Sequence, residues 1–343
     1  MEIVETTYGS DKAGLVCGYL FAPGCAGCAI TTADAETWLL ARMDARPDES
    51  KREFLWLHFN LASQPTERWL RQHLALPEAF HESLREISST RVELADDTLL
   101  AVLNDVRFEL FSSETAEAST VCVYVDARMM ISARITPLRS LDRLRASVRV
   151  GEGFRSPTEL LAHLLRDQAE VLAQIVRDAS KRVDVIEDKL LSNQVATSRP
   201  KLGSLRRTLV RLQRLLTPEP AALFRLLNRP PAWIDADGLR DLRQSAEELA
   251  AAVADSVALV ERVRLLQEEL FALVNEQTNR TLFVLTVVTV LALPLTIIPG
   301  LLGMNVGGVP LREHEGGFWL VLFVLILMTV LGALWAFRNR GNL

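Results

Sequence analysis

The sequence of 343 residues is slightly acidic, with 38 Lys and Arg residues against 43 Asp and Glu residues and a net charge of −5. A nucleic-acid-binding protein needs a concentrated basic surface, so this balance argues against a nucleic-acid partner. Charged residues make up 24% of the chain, which indicates that most of it lies in water. At about 150 residues per domain, the length predicts roughly two domains.

Residues 1–150 have the pattern of an α/β domain. Segments rich in aromatic and β-branched residues predict strands, and the apolar run 99–103 favours a sheet covered by helices on both faces. The predicted strands are Leu15–Phe21, Phe54–Asn60, Thr90–Leu94, Thr98–Val106, Val121–Val125 and Met129–Ile135, with short helices at Pro65–His73 and Pro77–Glu86. The first residues lack the basic and apolar regions of a secretory signal, so we expect this domain to lie in the cytoplasm.

One pair of cysteines, Cys25 and Cys28, has the spacing of a metal-binding or redox motif. A structural zinc site needs four ligands, and no second pair follows in the sequence. The simplest interpretation is a turn of small residues with reduced thiols. A regulatory metal site that includes this pair remains an alternative.

Residues 151–280 are predicted to form a cytoplasmic helical stalk. Ser156 and Pro157 begin a helix as cap and first-turn proline, and this helix extends to about residue 191. Further helices are predicted at 202–216, after an interruption at Pro200, and from Pro218. The last helix begins near Gly238 and continues without a break into the apolar segment that follows. Such a helix would join the cytoplasmic body rigidly to the membrane.

Two uncharged segments near the C-terminus predict a transmembrane hairpin. The first extends from Thr281 to Asn305 and the second from Gly316 to Phe337. About 20 apolar residues suffice for a helix that spans a bilayer. We assign 281–302 and 318–337 to the spans, 303–317 to an outer loop and 338–343 to a cytoplasmic tail.

The basic residues that flank the two segments predict the orientation of the hairpin. Arg280 precedes the first span, and Arg338 and Arg340 follow the second. Basic residues favour the cytoplasmic side. Both termini are therefore expected in the cytoplasm and the loop outside.

The first span carries a polar stripe along one side of the helix. Its members recur at alternating intervals of four and three residues, which is typical of a helix that packs on copies of itself. They are Asn275, Asn279, Leu282, Thr286, Thr289, Leu293, Thr296 and Gly300. Threonines on one stripe can act purely in helix packing. Alternatively the stripe lines a pore, which requires a homo-oligomer because two helices cannot enclose one.

The end of the first span carries the tripeptide Gly303-Met304-Asn305. Glycine permits the turn that ends a helix, and the Asn305 amide offers an uncharged oxygen to a cation. Together with Leu293-Pro294-Leu295-Thr296 before it, this tripeptide resembles the CorA-type metal ion transporters. Val306-Gly307-Gly308-Val309-Pro310 replaces the acidic segment of many magnesium transporters and is similar to the ZntB branch of zinc transporters.

The resemblance implies a homopentameric funnel in the bacterial inner membrane that takes up zinc, with or without proton coupling, and that is not an enzyme. It implies that Asn305 holds the hydrated ion at a selectivity filter, that the polar stripe lines the pore, and that no cofactor is bound besides the transported ion. A magnesium, cobalt or nickel channel of the same family is an alternative. A membrane-anchored metal sensor or scaffold is a further one.

The outer loop contains Glu313, His314 and Glu315, a few residues after Asn305. Imidazole and carboxylate groups are suitable zinc ligands, so these residues are candidate first contacts for the ion. The alternative is that they only solvate the loop.

Overall fold

A computed structural model describes residues 10–43, 53–85, 90–95, 97–106, 118–191, 198–304 and 316–338. The chain divides into two compact units, Met1–Leu266 and Gln267–Leu343. The first unit holds a mixed sheet with helices, and the second holds the apolar C-terminal segments. An α/β domain followed by long helices and an apolar hairpin is the predicted fold class.

The first unit is built on a seven-stranded sheet in the order β2-β1-β3-β7-β6-β5-β4. β3 and β7 pair in parallel, and the other neighbouring strands pair antiparallel. The strands are β1 (Leu15–Phe21), β2 (Cys28–Ala29), β3 (Phe54–Asn60), β4 (Arg91–Ala95), β5 (Thr98–Val106), β6 (Ala118–Val125) and β7 (Met129–Arg134).

Helices flank the sheet, and one of them continues into the second unit. They are α1 (Thr32–Met43), α2 (Pro65–His73), α3 (Glu78–Arg85), α4 (Arg139–Val150), α5 (Pro157–Leu191), α6 (Ser198–Leu216), α7 (Pro218–Leu227), α8 (Ala236–Leu302) and α9 (Gly317–Arg338). α6 begins ahead of the predicted start because Pro200 lies within its first turn, where the missing N–H of proline is tolerated. The predicted interruption at that proline was therefore wrong.

Both faces of the sheet are covered, as the apolar run in β5 predicts. Successive side chains of a strand point to opposite faces, so Phe54 and Trp56 of β3 enter one apolar cluster and Leu55 and Leu57 enter another. The first cluster contains residues of α4, α5, α7 and the start of α8. The second contains residues of α1, α2 and α3.

α5 and α8 lie side by side and parallel within the first unit. Ion pairs follow the same order along both helices. Arg155, just before α5, pairs with Asp241 at 3.3 Å, and Arg166–Glu248 at 3.7 Å and Arg262–Asp184 at 2.8 Å follow. Arg262 also contacts Glu187. The buried side chains Leu249 and Val263 of α8 lie on the apolar side of this helix.

Candidate functional site: a polar stripe on the first membrane helix

Two helices of the described chain, α8 and α9, contain segments long and apolar enough to cross a membrane. Arg280 precedes the apolar part of α8, and Arg338 ends α9. Trp319 and Trp335 lie near the two ends of α9 and are each 70% exposed. Tryptophan is enriched where a membrane helix meets water on either side. This aromatic pattern is a further membrane signal, and it is visible in the sequence itself.

The predicted polar stripe lies along α8 on the surface of the single chain. Every residue assigned to it is exposed: Asn275, Asn279, Leu282, Thr286, Thr289, Leu293, Thr296 and Gly300. Leu282 and Leu293 are 53% and 56% exposed. The stripe is therefore open to another molecule or to water.

The three threonines of the stripe donate their hydroxyl hydrogens back to the helix. The Thr286 and Thr289 hydroxyls each donate to the carbonyl four residues earlier at 2.8 Å, and the Thr296 hydroxyl donates to the Leu293 carbonyl at 2.9 Å. A hydroxyl that has donated its hydrogen keeps only acceptor lone pairs. Such an oxygen suits a hard cation or the water around one.

A different face of α8 packs against α9. A Cβ added to Gly332 of α9 would lie 2.9 Å from Leu291 Cδ2, so the Leu291 side chain packs directly on Gly332. The half-buried residues of α8 recur on the same side as Leu291: Phe283, Val287, Pro294, Ile298 and Leu302. Leu325 of α9 is 6% exposed. α9 thus covers a face that lies well away from the stripe and leaves the stripe open.

Two prolines lie within α8 near its end, Pro294 and Pro299. Proline has no N–H to donate, so the carbonyls of Val290 and Leu295 lack their usual helical partner. The helix nevertheless continues through both positions to Leu302. This segment is the part of α8 that bends most easily.

The end of α8 is a tight turn at the predicted filter. The Gly303 N–H donates to the Pro299 carbonyl at 2.8 Å, and the Met304 N–H donates to the Leu301 carbonyl at 3.3 Å. Met304 is 52% exposed. The remaining predicted ion contacts, Asn305, Glu313, His314 and Glu315, lie outside the described residues, and their roles stay predictions.

The cysteine pair in the first unit does not form a complete metal site with its described surroundings. Cys25 and Cys28 are free and exposed. Within the described ranges, no group of three or more His, Cys, Asp or Glu side chains is arranged to hold a metal ion. The pair alone supplies two of the four ligands that a structural zinc ion needs.

A buried polar cluster in the first unit was not predicted. Glu219 of α7 is fully buried, and its carboxylate accepts hydrogen bonds at 2.5 Å from the Asn104 N–H of β5 and from Gln168 Nε2 of α5. Burial raises the pKa of Glu219 to about 8. Asp105 lies next to the cluster and accepts hydrogen bonds from the N–H and hydroxyl of Ser140 in α4. The cluster joins the sheet to three helices.

His58 belongs to a second buried cluster, in the centre of the sheet. Its Nε2 accepts a hydrogen bond from Arg134 Nε at 2.9 Å, and its Nδ1 lies 2.9 Å from the Ser132 hydroxyl. Burial and the Arg134 charge hold the pKa of His58 well below its ordinary value. The imidazole is therefore neutral and has a structural role inside the sheet.

Comparison with known proteins identifies the family. The family described as CorA-like Mg²⁺ transporter protein matches residues 51–339. The divalent cation transporter CmaX of Pseudomonas aeruginosa is 29% identical over 293 residues, which cover 83% of this chain and 86% of that protein. The zinc transport protein ZntB of Pectobacterium atrosepticum is 24% identical over 286 residues, which cover 83% of this chain and 87% of that protein.

Solved structures show the same fold. The full-length CmaX structure has a TM-score of 0.77 at 26% identity and covers 96% of this chain and 99% of that one. The structure of the CorA magnesium transporter of Methanocaldococcus jannaschii has a TM-score of 0.70 at 19% identity and covers 94% of this chain and 98% of that one. This chain belongs to the CorA-like Mg²⁺ transporter family and is a divalent cation transporter, not an enzyme.

Proposed function

We propose that this chain forms a homopentameric pore that takes up zinc across the bacterial inner membrane. The polar stripe of α8 lines this pore, and Asn305 holds the hydrated ion at its outer mouth. The similarity to ZntB and CmaX supports a divalent cation as the substrate. The replacement of an acidic segment by residues 306–310 favours zinc over magnesium.

The main support for a pore is the exposed polar stripe of α8. Polar side chains in hydrocarbon are unfavourable unless they face a partner helix or water. Asn279, Thr286 and Thr289 are exposed in the single chain, while α9 covers a different face of the same helix. A ring of copies places these groups around a common axis and removes them from lipid. Two membrane helices per chain cannot enclose a pore alone, so the function requires the oligomer.

The stripe alternates hydroxyl groups with apolar side chains. Thr286, Thr289 and Thr296 offer acceptor oxygens to an ion that keeps much of its water shell. Leu282 and Leu293 form narrow apolar rings, which exclude water and thereby stop the ion. We infer that these rings are the gate and that the threonines carry the ion between them.

Orientation follows from the basic residues at the ends of the hairpin. Arg280, Arg338 and Arg340 favour a cytoplasmic location for both termini. The turn at Gly303 and the loop after it then lie outside. The candidate loop ligands Glu313, His314 and Glu315 are the first groups that an incoming zinc ion meets.

The residues of the first span do not show whether zinc uptake is coupled to protons. The span 281–302 contains no carboxylate or histidine that could relay protons. Proton coupling therefore rests on groups outside the span. Passive uptake through the same pore is the simpler form of the proposal.

Flux into proteoliposomes tests the function. Purified protein is reconstituted, and zinc and magnesium uptake are measured separately with and without an inward proton gradient. We expect zinc uptake to exceed magnesium uptake. A higher magnesium rate would favour a magnesium channel of the family, and no flux of either ion would favour the sensor or scaffold function.

Asn305→Ala tests the filter in the same vesicles. Loss of the amide oxygen removes a hydrogen-bond acceptor for the ion's water, so we expect zinc uptake to fall about tenfold or more. The mass of the oligomer in detergent should stay that of the wild type. Wild-type uptake by this variant would contradict the filter role.

A further inference from the structure

We propose that Gly332 of α9 is a positioning residue for the pore, because it sets how far the polar stripe of α8 projects from the helix pair. This inference rests on the proposed function and adds to it a residue that touches neither the ion nor the stripe. The observation behind it is the close approach of α9 to Leu291.

Gly332 leaves space that no larger residue would leave. A Cβ at this position would lie 2.9 Å from Leu291 Cδ2, which is closer than such carbons approach one another. Among the described residues of α8, only the end of the Leu291 side chain comes within 4 Å of that Cβ, so a side chain packs directly on Gly332. Small residues in membrane helices permit such close packing. Gly316, just before α9, is different, because a Cβ there would meet nothing within 4 Å.

Leu291 meets Gly332 with the end of its flexible side chain. It is half-buried, and Val287 and Pro294 flank it one turn away on the same face of α8. Leucine in a helix uses two χ1 rotamers, both directed toward the preceding turn. The Leu291 methyl group can turn away from a single added Cβ, but the branched side chain of a valine at position 332 extends further toward α8, and we infer that it pushes on the helix as well.

A push on Leu291 is transmitted to the stripe. Thr289 and Leu293 lie two residues to either side of Leu291 and about 200° around the helix. Displacement of Leu291 away from α9 moves both of them outward on the open side of α8. Pro294 leaves the Val290 carbonyl without its helical donor, so the helix yields most easily at this level.

The consequence is a narrower pore at the Leu293 ring. Five copies displaced toward a common axis reduce the opening together. Gly332→Val should therefore lower zinc flux without changing the residues that contact the ion. Removing the Leu291 side chain should relieve the displacement.

The experiment compares four proteins in proteoliposomes: wild type, Gly332→Val, Gly332→Val with Leu291→Ala, and the control Gly316→Ala. We expect Gly332→Val to lower zinc flux about fivefold or more with an oligomer of wild-type mass. The Leu291→Ala change should restore at least about half of the wild-type flux, and Gly316→Ala should behave as the wild type.

A crosslink tests the contact independently of flux. Leu291→Cys and Gly332→Cys are combined in a protein whose native cysteines, Cys17, Cys25, Cys28 and Cys122, are changed to Ser. A short bifunctional thiol reagent should join the two positions within one chain, as detected by mass spectrometry of the linked peptides. Failure to join them would overturn the proposal.

The flux results separate the two proposals. A wild-type protein that conducts no divalent cation overturns the pore itself. A conducting wild type with unchanged flux in Gly332→Val, or with flux lost only through dissociation of the oligomer, overturns the positioning role alone.

Discussion

Glu219 is a fully buried carboxyl group whose described neighbours donate hydrogen bonds to it. Asn104 Nδ2 lies 3.1 Å from its Oε1 and Gln168 Nε2 lies 2.5 Å from its Oε2. Burial is the largest influence and raises the pKa to about 8, while these hydrogen bonds lower it. The nearby Asp105 charge raises the pKa further.

This pKa makes stability depend on pH. The folded state binds the Glu219 proton more tightly than the unfolded state, where the ordinary value of 4.5 applies. The stabilisation from protonation is complete below about pH 4.5 and is lost as the pH rises through about 8. We expect the Tm of the first transition to fall between about pH 6.5 and 8 and to level off above about pH 8, where both states have lost the proton, when thermal unfolding is followed by circular dichroism.

Glu219→Gln should remove this dependence. The amide does not titrate, so the Tm of the variant should be nearly constant over the same range, even if it is lower throughout. Asp105, whose pKa burial raises to about 6, titrates below this range and does not interfere. A variant that keeps the wild-type slope would contradict the assignment to Glu219.

The Glu219 cluster shows what the sequence could not reveal at the level of single residues. Pro218-Glu219-Pro220 predicts an acidic first turn of a helix, which is normally exposed. Its partners Asn104 and Gln168 lie 115 and 51 residues away in the chain. The periodicity of α7 carries no information about them. By contrast, the polar stripe depends on spacing within one helix, and for that reason it could be predicted.

Buried residues of α5 and α8 belong to one apolar cluster, and ion pairs join the two helices at their exposed edge. The Arg262 side chain is 43% exposed and pairs with Asp184 and Glu187. Exposed ion pairs contribute roughly 0–1 kcal/mol. We expect Arg262→Gln to lower the Tm by about 1–3 °C at low salt and by less at about 1 M salt, where charges are screened.

A matched control is Arg240→Gln near the start of α8. In the described part of the chain, Arg240 forms an ion pair within its own helix, with Asp237, and its side chain is 76% exposed. Its replacement should leave the Tm within experimental error. A loss at Arg262 that is much larger, or independent of salt, would mean that the pair carries more of the α5–α8 contact than its exposure indicates.

The predicted helices differ from the observed ones where contacts with distant parts of the chain help to form the helix. α4 was not predicted, although Gly151 ends it as a left-handed C-cap. Its N-terminus has no capping side chain of its own, and Asp105 of β5 accepts the Ser140 N–H in its first turn. α1 was also missed, although Thr31 and Asp34 bond to each other at its start. α8 was predicted well because its apolar periodicity and its lack of breakers are both local features.

The topology of the entire chain can be tested by labelling. In a cysteine-free background, Gly316→Cys should react with an impermeant thiol reagent added to intact cells, because this position is exposed and open. Asn342→Cys should be protected until the membrane is permeabilised. The reverse pattern would place Asn305 at the cytoplasmic mouth and contradict the proposed orientation.

The central claim is that the stripe of α8 lines a pore and that the Leu293 ring closes it. A leucine ring excludes water, so Leu293→Ser should let the constriction hold water and raise zinc leak. Leu295→Ser is the matched control, since Leu295 is also exposed at 41% but lies about 200° around the helix from Leu293.

Zinc leak into proteoliposomes, measured together with oligomer mass for both variants, tests this claim most directly. The proposed pore predicts a raised leak for Leu293→Ser, wild-type leak for Leu295→Ser, and an intact oligomer in both. Equal leak from the two variants, or a dissociated Leu293→Ser protein without leak, would contradict the pore and leave the stripe as a packing surface.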